Sequence, residues 1–189
     1  MDFAHVLKNE IFRPLAIVFI PGATAIGPWV LIFGHYSKKI RWFWDLYPTA
    51  VNVMIFVAVM AIGLILEDIG SRIEITWDNF LNAKHPERKG KWKQYLQLNI
   101  QDELVGQRFL RTIYIRFKFE LSMGPALASF TVGAIWLNGL QGVLSVSSMA
   151  WIATILFGLA GYLLYESFAS SDHLAELHDY IIEAPKVQK

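Results

Sequence analysis

Plotted at about 100° per residue, Glu67, Ser71, Glu74, Asp78 and His85 fall within about 60° of one another. Three carboxylates and an imidazole on one helix face form a donor set for a divalent cation, or for acid–base hydrolysis at the headgroup level of a membrane. The spacing restricts that chemistry. From 67 to 78 the stripe covers about 16 Å at a rise of about 1.5 Å per residue, too long for one ion to bridge. Only Glu74 with Asp78, or Glu67 with Ser71, stand close enough to share one.

A second pattern competes for the same carboxylates. Arg108, Arg111 and Lys118 also share a helix face. If the chain leaves a membrane at 67 and returns at 120 as an antiparallel helical hairpin, Asp78 is level with Arg108, Glu74 with Arg111 and Glu67 with Lys118. Such a ladder of opposite charges holds two helices together, within one chain or between protomers, and perturbs carboxylates without catalysis. The ladder is the preferred reading and leaves no residue assigned as catalytic. The alternative keeps Glu67, Glu74, Asp78 and His85 as the site of an enzyme.

Further along lies a basic and aromatic group, Lys84, His85, Arg88, Lys89, Lys91, Trp92, Lys93 and Tyr95. Cations beside stacking rings suit an anionic partner, a cytoplasmic protein or a nucleic acid. Anionic lipid is out of reach if the hairpin stands upright, because roughly 15–20 helical residues lift this tip more than about 20 Å. Surface potential fades over about 8 Å. A solvated lysine-rich turn is the plainer alternative.

Two weaker patterns concern the backbone. Pro21-Gly22 and Gly27-Pro28 are expected to disturb one helix twice, as a kink or as a break that exposes carbonyls. Ala150, Thr154 and Gly158 recur every fourth residue, as do Ser129 and Gly133, which lets membrane helices approach closely. In the tail, His173 and Glu176 stand one turn apart, a spacing more in keeping with a solvated helix than with a metal site.

The elements that must position these residues are set by where charge is absent. Residues 14–34 and 46–66 are each 21 residues without Asp, Glu, Lys or Arg, and 121–165 is 45 such residues. A hydrocarbon core about 30 Å thick takes roughly 20 helical residues, so the tracts hold one, one and two spans. Asn138 to Gly142 and Ser145 to Ser148 mark a turn that divides the last tract. Spans are therefore expected at 14–34, 47–66, 121–138 and 149–165. The charged share of 17% is well below the roughly 25% of soluble domains. There is no cysteine, which excludes disulfides, thiolate metal sites and a thiol nucleophile. Residues 8–25 loosely imitate a signal peptide, but the apolar run continues past the would-be cleavage site, so an uncleaved first span is expected.

The distribution of Lys and Arg orients the chain. With both termini inside, fourteen face the cytoplasm and three, Lys38, Lys39 and Arg41, face out. Trp42, Phe43, Trp44 and Tyr47 beside those three read as an interfacial aromatic belt. The second span is expected to continue as helix to about Leu81, and Asn99 with Asp102 resembles a capping box opening the next helix. Leu66 to Ser71 and Tyr165 to Ser170 echo each other faintly, as do Gly27-Pro28 and Gly124-Pro125.

These observations define an all-α integral membrane protein with four transmembrane helices in two hairpins, and a cytoplasmic helical hairpin between spans 2 and 3. Its segments are 1–66, 67–120, 121–165 and a cytoplasmic tail, 166–189. The phosphate-loop, zinc-protease, Gly-x-Ser-x-Gly and Cys/His metal patterns do not occur, and no cofactor or metal is expected. The expected partners are the lipid bilayer of an inner or plasma membrane and further copies of the chain. The expected role is an oligomeric membrane assembly, pore-like or a sensing scaffold, regulated through its cytoplasmic hairpin. A membrane-bound hydrolase or metal-dependent enzyme is the alternative.

Overall fold

A computed structural model describes residues 12–84 and 105–183, with side-chain surroundings over 15–80, 83 and 113–172. The described residues contain helices and no strand. In chain order these are α1 (Phe12–Tyr36), α2 (Lys38–Leu46), α3 (Pro48–Lys84), α4 (Val105–Gln141) and α5 (Val146–Glu183).

Local chemistry explains each change of direction. Ser37 closes α1 and caps α2, its Oγ accepting from the Ile40 amide at 3.3 Å. The Tyr47 amide then donates to the Phe43 carbonyl at 2.9 Å, and Pro48 opens α3, where its missing N–H costs nothing. The expected turn after 138 is present, displaced by one helical turn: α4 runs to Gln141, and Gly142 takes φ +65°. Asn138 fastens that turn from inside the helix, donating to the Leu144 carbonyl at 3.1 Å and accepting from its amide at 2.8 Å. Ser145 accepts from the Ser148 amide and so caps α5.

Among the described residues three helices are long and apolar enough to cross a membrane: Leu15–Tyr36, Pro48–Phe80 and Val146–Asp172, with mean hydropathies of 2.0, 2.5 and 1.6. The stretch 121–138 lies on α4, which is the most enclosed helix and packs against α1, α3 and α5. Its Ser122, Gly124 and Thr131 are buried, the Ser122 and Thr131 hydroxyls donating back to carbonyls of their own helix, while Ser129 donates to the Ala25 carbonyl of α1; these small and polar residues temper its hydropathy. By contrast Met54, Trp151, Ile155 and Tyr165 point outward on α3 and α5. At 37 or 38 residues α3, α4 and α5 are each about 55 Å long, so they outreach a core about 30 Å thick. Charge first appears at 67 and 166, and last appears before the apolar stretch of α4 at 120; no helix ends at these positions.

Of the two disturbances expected in the first span, a kink or an open break, the open break does not occur. Pro21 and Pro28 both lie inside the continuous helix α1. Instead of opening the backbone, this composition thins it for contact. A methyl group at Gly22 would collide with the Val59 carbonyl and stand 2.9 Å from the Gly63 nitrogen, while one at Gly63 would meet Val18. The two glycines therefore form a backbone-to-backbone crossing of α1 and α3. Gly133 seats Pro28 and the Trp29 ring in the same way across α1 and α4, and Trp29 donates to Ser129 at 3.3 Å. Gly27 has open space around it and marks no contact. Between these crossings Ala25, Leu66 and Ala126 form a buried cluster, with Ile62 and Met123 against it.

The two small-residue faces have different fates. Ser129 and Gly133 are used within the chain. Ala150, Thr154 and Gly158 are exposed along α5, and Thr154 donates back to the Ala150 carbonyl of its own helix at 2.8 Å.

Candidate functional site

The acidic stripe is built where α3 outruns its apolar stretch. Leu66 is still buried, and one turn later Gly70 lies against Leu121 of α4, whose Cβ would be 3.1 Å from an added methyl. That close approach fixes the register of the two helices. One turn further on, Lys118 of α4 donates to Glu74 at 2.5 Å and to Ser71 at 3.1 Å. The Tyr114 ring centroid stands 5.6 Å from the same ammonium. Both partners of the ion pair are mostly withdrawn from solvent, with side chains 12% and 22% exposed for Lys118 and Glu74. Burial by itself pushes the lysine down, but the hydrogen bond and charge of Glu74 outweigh it. Smaller contributions come from Tyr114 and Glu67, and the ammonium is held above its ordinary value.

The expected ladder is thus corrected in register. Lys118 meets Glu74 rather than Glu67, about two turns from the expected level, because the Gly70–Leu121 contact sets where the helices align. Glu67 acts on Lys118 only as a more distant charge. Asp78 faces α5, accepting from Ser171 at 3.5 Å. On this register Tyr114 is level with Asp78, and Arg111 and Arg108 stand roughly one and two turns further along α4. Their side chains, and that of Lys84, lie outside the described residues. So do His85, Arg88, Lys89, Lys91, Trp92 and Lys93 of the basic tip, and Asn99 and Asp102 of the expected capping box.

A second ion-pair network, absent from the sequence reading, joins α4 to α5. Arg116 donates through Nε to Glu120 at 2.7 Å and through its terminal nitrogen to Glu166 of α5 at 2.6 Å. Glu120 is 5% exposed, and its other oxygen accepts from Ser170 of α5 at 3.4 Å. A carboxylate so buried is tolerated only because both oxygens are engaged. Trp77 of α3 meets Phe168 of α5 edge-on at 5.5 Å, so all three long helices are tied at one level. A sequence signal for this network existed. Glu120 and Glu166 flank the charge-free tract 121–165, and folding that tract at its middle brings its two ends together.

The arrangement therefore works as a clasp more readily than as a reaction centre. Glu74 is paired with an ammonium and Asp78 with a hydroxyl, and Asp68 forms an exposed pair with Arg72 at 3.0 Å. Among the described residues no three His, Asp or Glu side chains converge as a metal would require. Comparison with known proteins adds no template: no protein-family model, no curated protein and no solved structure matches the chain.

Proposed function

We propose that this chain is a four-span protein of an inner or plasma membrane, with both termini and the segment 85–104 in the cytoplasm, that self-associates into a pore-like assembly or sensing scaffold. The observation that carries this reading is the clasp. α3 and α4 lead directly into the segment 85–104, and the same level of the bundle is tied to α5 through Arg116–Glu166 and Asp78–Ser171. A partner that pulls on that segment acts on α5 through an ion pair and a hydrogen bond rather than through a flexible linker. The basic group Lys84, Arg88, Lys89, Lys91, Trp92 and Lys93 suits an anionic protein surface or a nucleic acid as that partner.

The exposed Ala150–Thr154–Gly158 face of α5 supports self-association, since nothing among the described residues covers it. Ala25, Leu66 and Ala126 pack against one another where α1, α3 and α4 meet, so on this reading any passage runs between copies. The alternative hydrolase at Glu67, Glu74 and Asp78 is disfavoured, because its best-placed carboxylate is already neutralised by Lys118.

The test uses introduced thiols in a chain that has none. Thr154→Cys and Gly158→Cys in native membranes should cross-link into dimers, and the buried Ala153→Cys should not. Lys89→Cys should react only from the cytoplasmic side and Ser145→Cys only from the other. A monomer in mild detergent with no cross-link from either α5 position would end the assembly reading. Ion flux from liposomes then separates pore from scaffold.

A further inference from the structure

The first connection contains a feature that the clasp does not use. α2 lies across the end of α1 and α3 and roofs an apolar groove of about 480 Å³. Trp29 and Phe33 of α1 form one wall, Met54 and Ala58 of α3 the other, and Ile40 and Trp44 of α2 the roof. The volume falls among those of pockets that hold small ligands, roughly 300–1,000 Å³. Along α1 the lining runs from Ile26 to Gly34, about 12 Å at 1.5 Å per residue, which matches most of one leaflet's share of a core about 30 Å thick.

The charge at this groove is one-sided. Lys39 is the one charged side chain among its lining residues. Lys38 and Arg41 accompany it on α2, against the single acid Asp45. These three cations are also the cluster that opposes the Lys/Arg asymmetry of the rest of the chain, so orientation does not account for them. We propose that the groove under α2 binds one anionic membrane phospholipid, with an acyl chain between α1 and α3 and its phosphate held by Lys39. Lys38 and Arg41 add to the positive field at the headgroup. An amphipathic helix with aromatic residues at the interface places that field at headgroup depth. A free phosphate has no use for the groove, and an uncharged lipid has none for the cations. The site is independent of self-association and of the clasp.

The experiment is native mass spectrometry of the delipidated full-length chain, titrated with phosphatidylglycerol or with phosphatidylcholine of the same acyl length. One phosphatidylglycerol per chain should be retained in preference to phosphatidylcholine. Lys39→Gln should weaken that binding about fivefold, the effect of roughly 1 kcal/mol per lysine near an anionic headgroup, and Lys39→Arg should preserve it. Ala58→Trp, which fills the groove, should abolish binding of both lipids. Equal retention of the two lipids by the unaltered chain, or no loss in Lys39→Gln, overturns the proposal. So does undiminished binding in a folded Ala58→Trp. If Ala58→Trp does not fold, the comparison of Lys39→Gln with Lys39→Arg decides alone, because Lys39 is exposed and outside the packed core.

Discussion

Exchanging the charges of Glu74 and Lys118 tests the clasp directly. Lys118→Glu sets a carboxylate against Glu74, with Glu67 and Asp78 on the same helix face; Glu74→Lys sets two ammonium groups together. The double exchange restores an opposite pair at the same place, and Ser71 serves either arrangement because its hydroxyl both donates and accepts. Two charges about 4 Å apart interact by about 4 kcal/mol at an effective dielectric of about 20. Exposed pairs retain at most about 1 kcal/mol of that, and breaking fully buried pairs costs about 3–5. With side chains 12% and 22% exposed, this pair belongs nearer the second limit, so a coupling energy of about 2–3 kcal/mol is expected. The assay is thermal or denaturant unfolding of the four proteins in one mild detergent, read by circular dichroism and closed as a double-mutant cycle. Each single variant should be destabilised and the double should recover most of the loss. A coupling below about 0.5 kcal/mol would place the pair among solvated surface charges and refute the clasp.

Two other outcomes follow from the geometry. Gly22→Ala and Gly63→Ala should each destabilise the bundle by about 1–3 kcal/mol or more, because the new methyl meets backbone that cannot rotate away. Gly27→Ala, with open space around it, should be neutral or slightly stabilising, and equal effects at all three positions in detergent unfolding would contradict the crossing. Because Lys118 is held above its ordinary value, its stabilisation is complete below the unfolded lysine's value of about 10.4 and is lost as pH rises through the folded one. Melting temperature should therefore fall more steeply above about pH 10 in the unaltered chain than in Lys118→Met; parallel curves would remove the pair's contribution.

Charge-free length and turn chemistry carried much of the fold in the sequence itself. An apolar tract of 21 residues must become a helix in lipid, because no other local structure satisfies its backbone there. Asn138 through Ser148 announced a turn, and their side chains are the ones that close it. That Glu67, Glu74 and Asp78 share a face was equally legible, since helical periodicity is a local property. Which cation they meet was not. Register between two helices is decided by where their backbones come closest, here at Gly70 against Leu121, and nothing in the spacing of charges encodes that contact. The same reason explains α1. Prolines and glycines in sequence announce a weakened helix, but the facing surface of α3 turned that weakness into a crossing at Gly22 and Gly63. The groove under α2 and the Arg116–Glu120–Glu166 network likewise exist only once distant segments meet. Local sequence fixes periodicity and ends, whereas packing chooses which faces are spent on one another and which are left for lipid, a partner or a second copy.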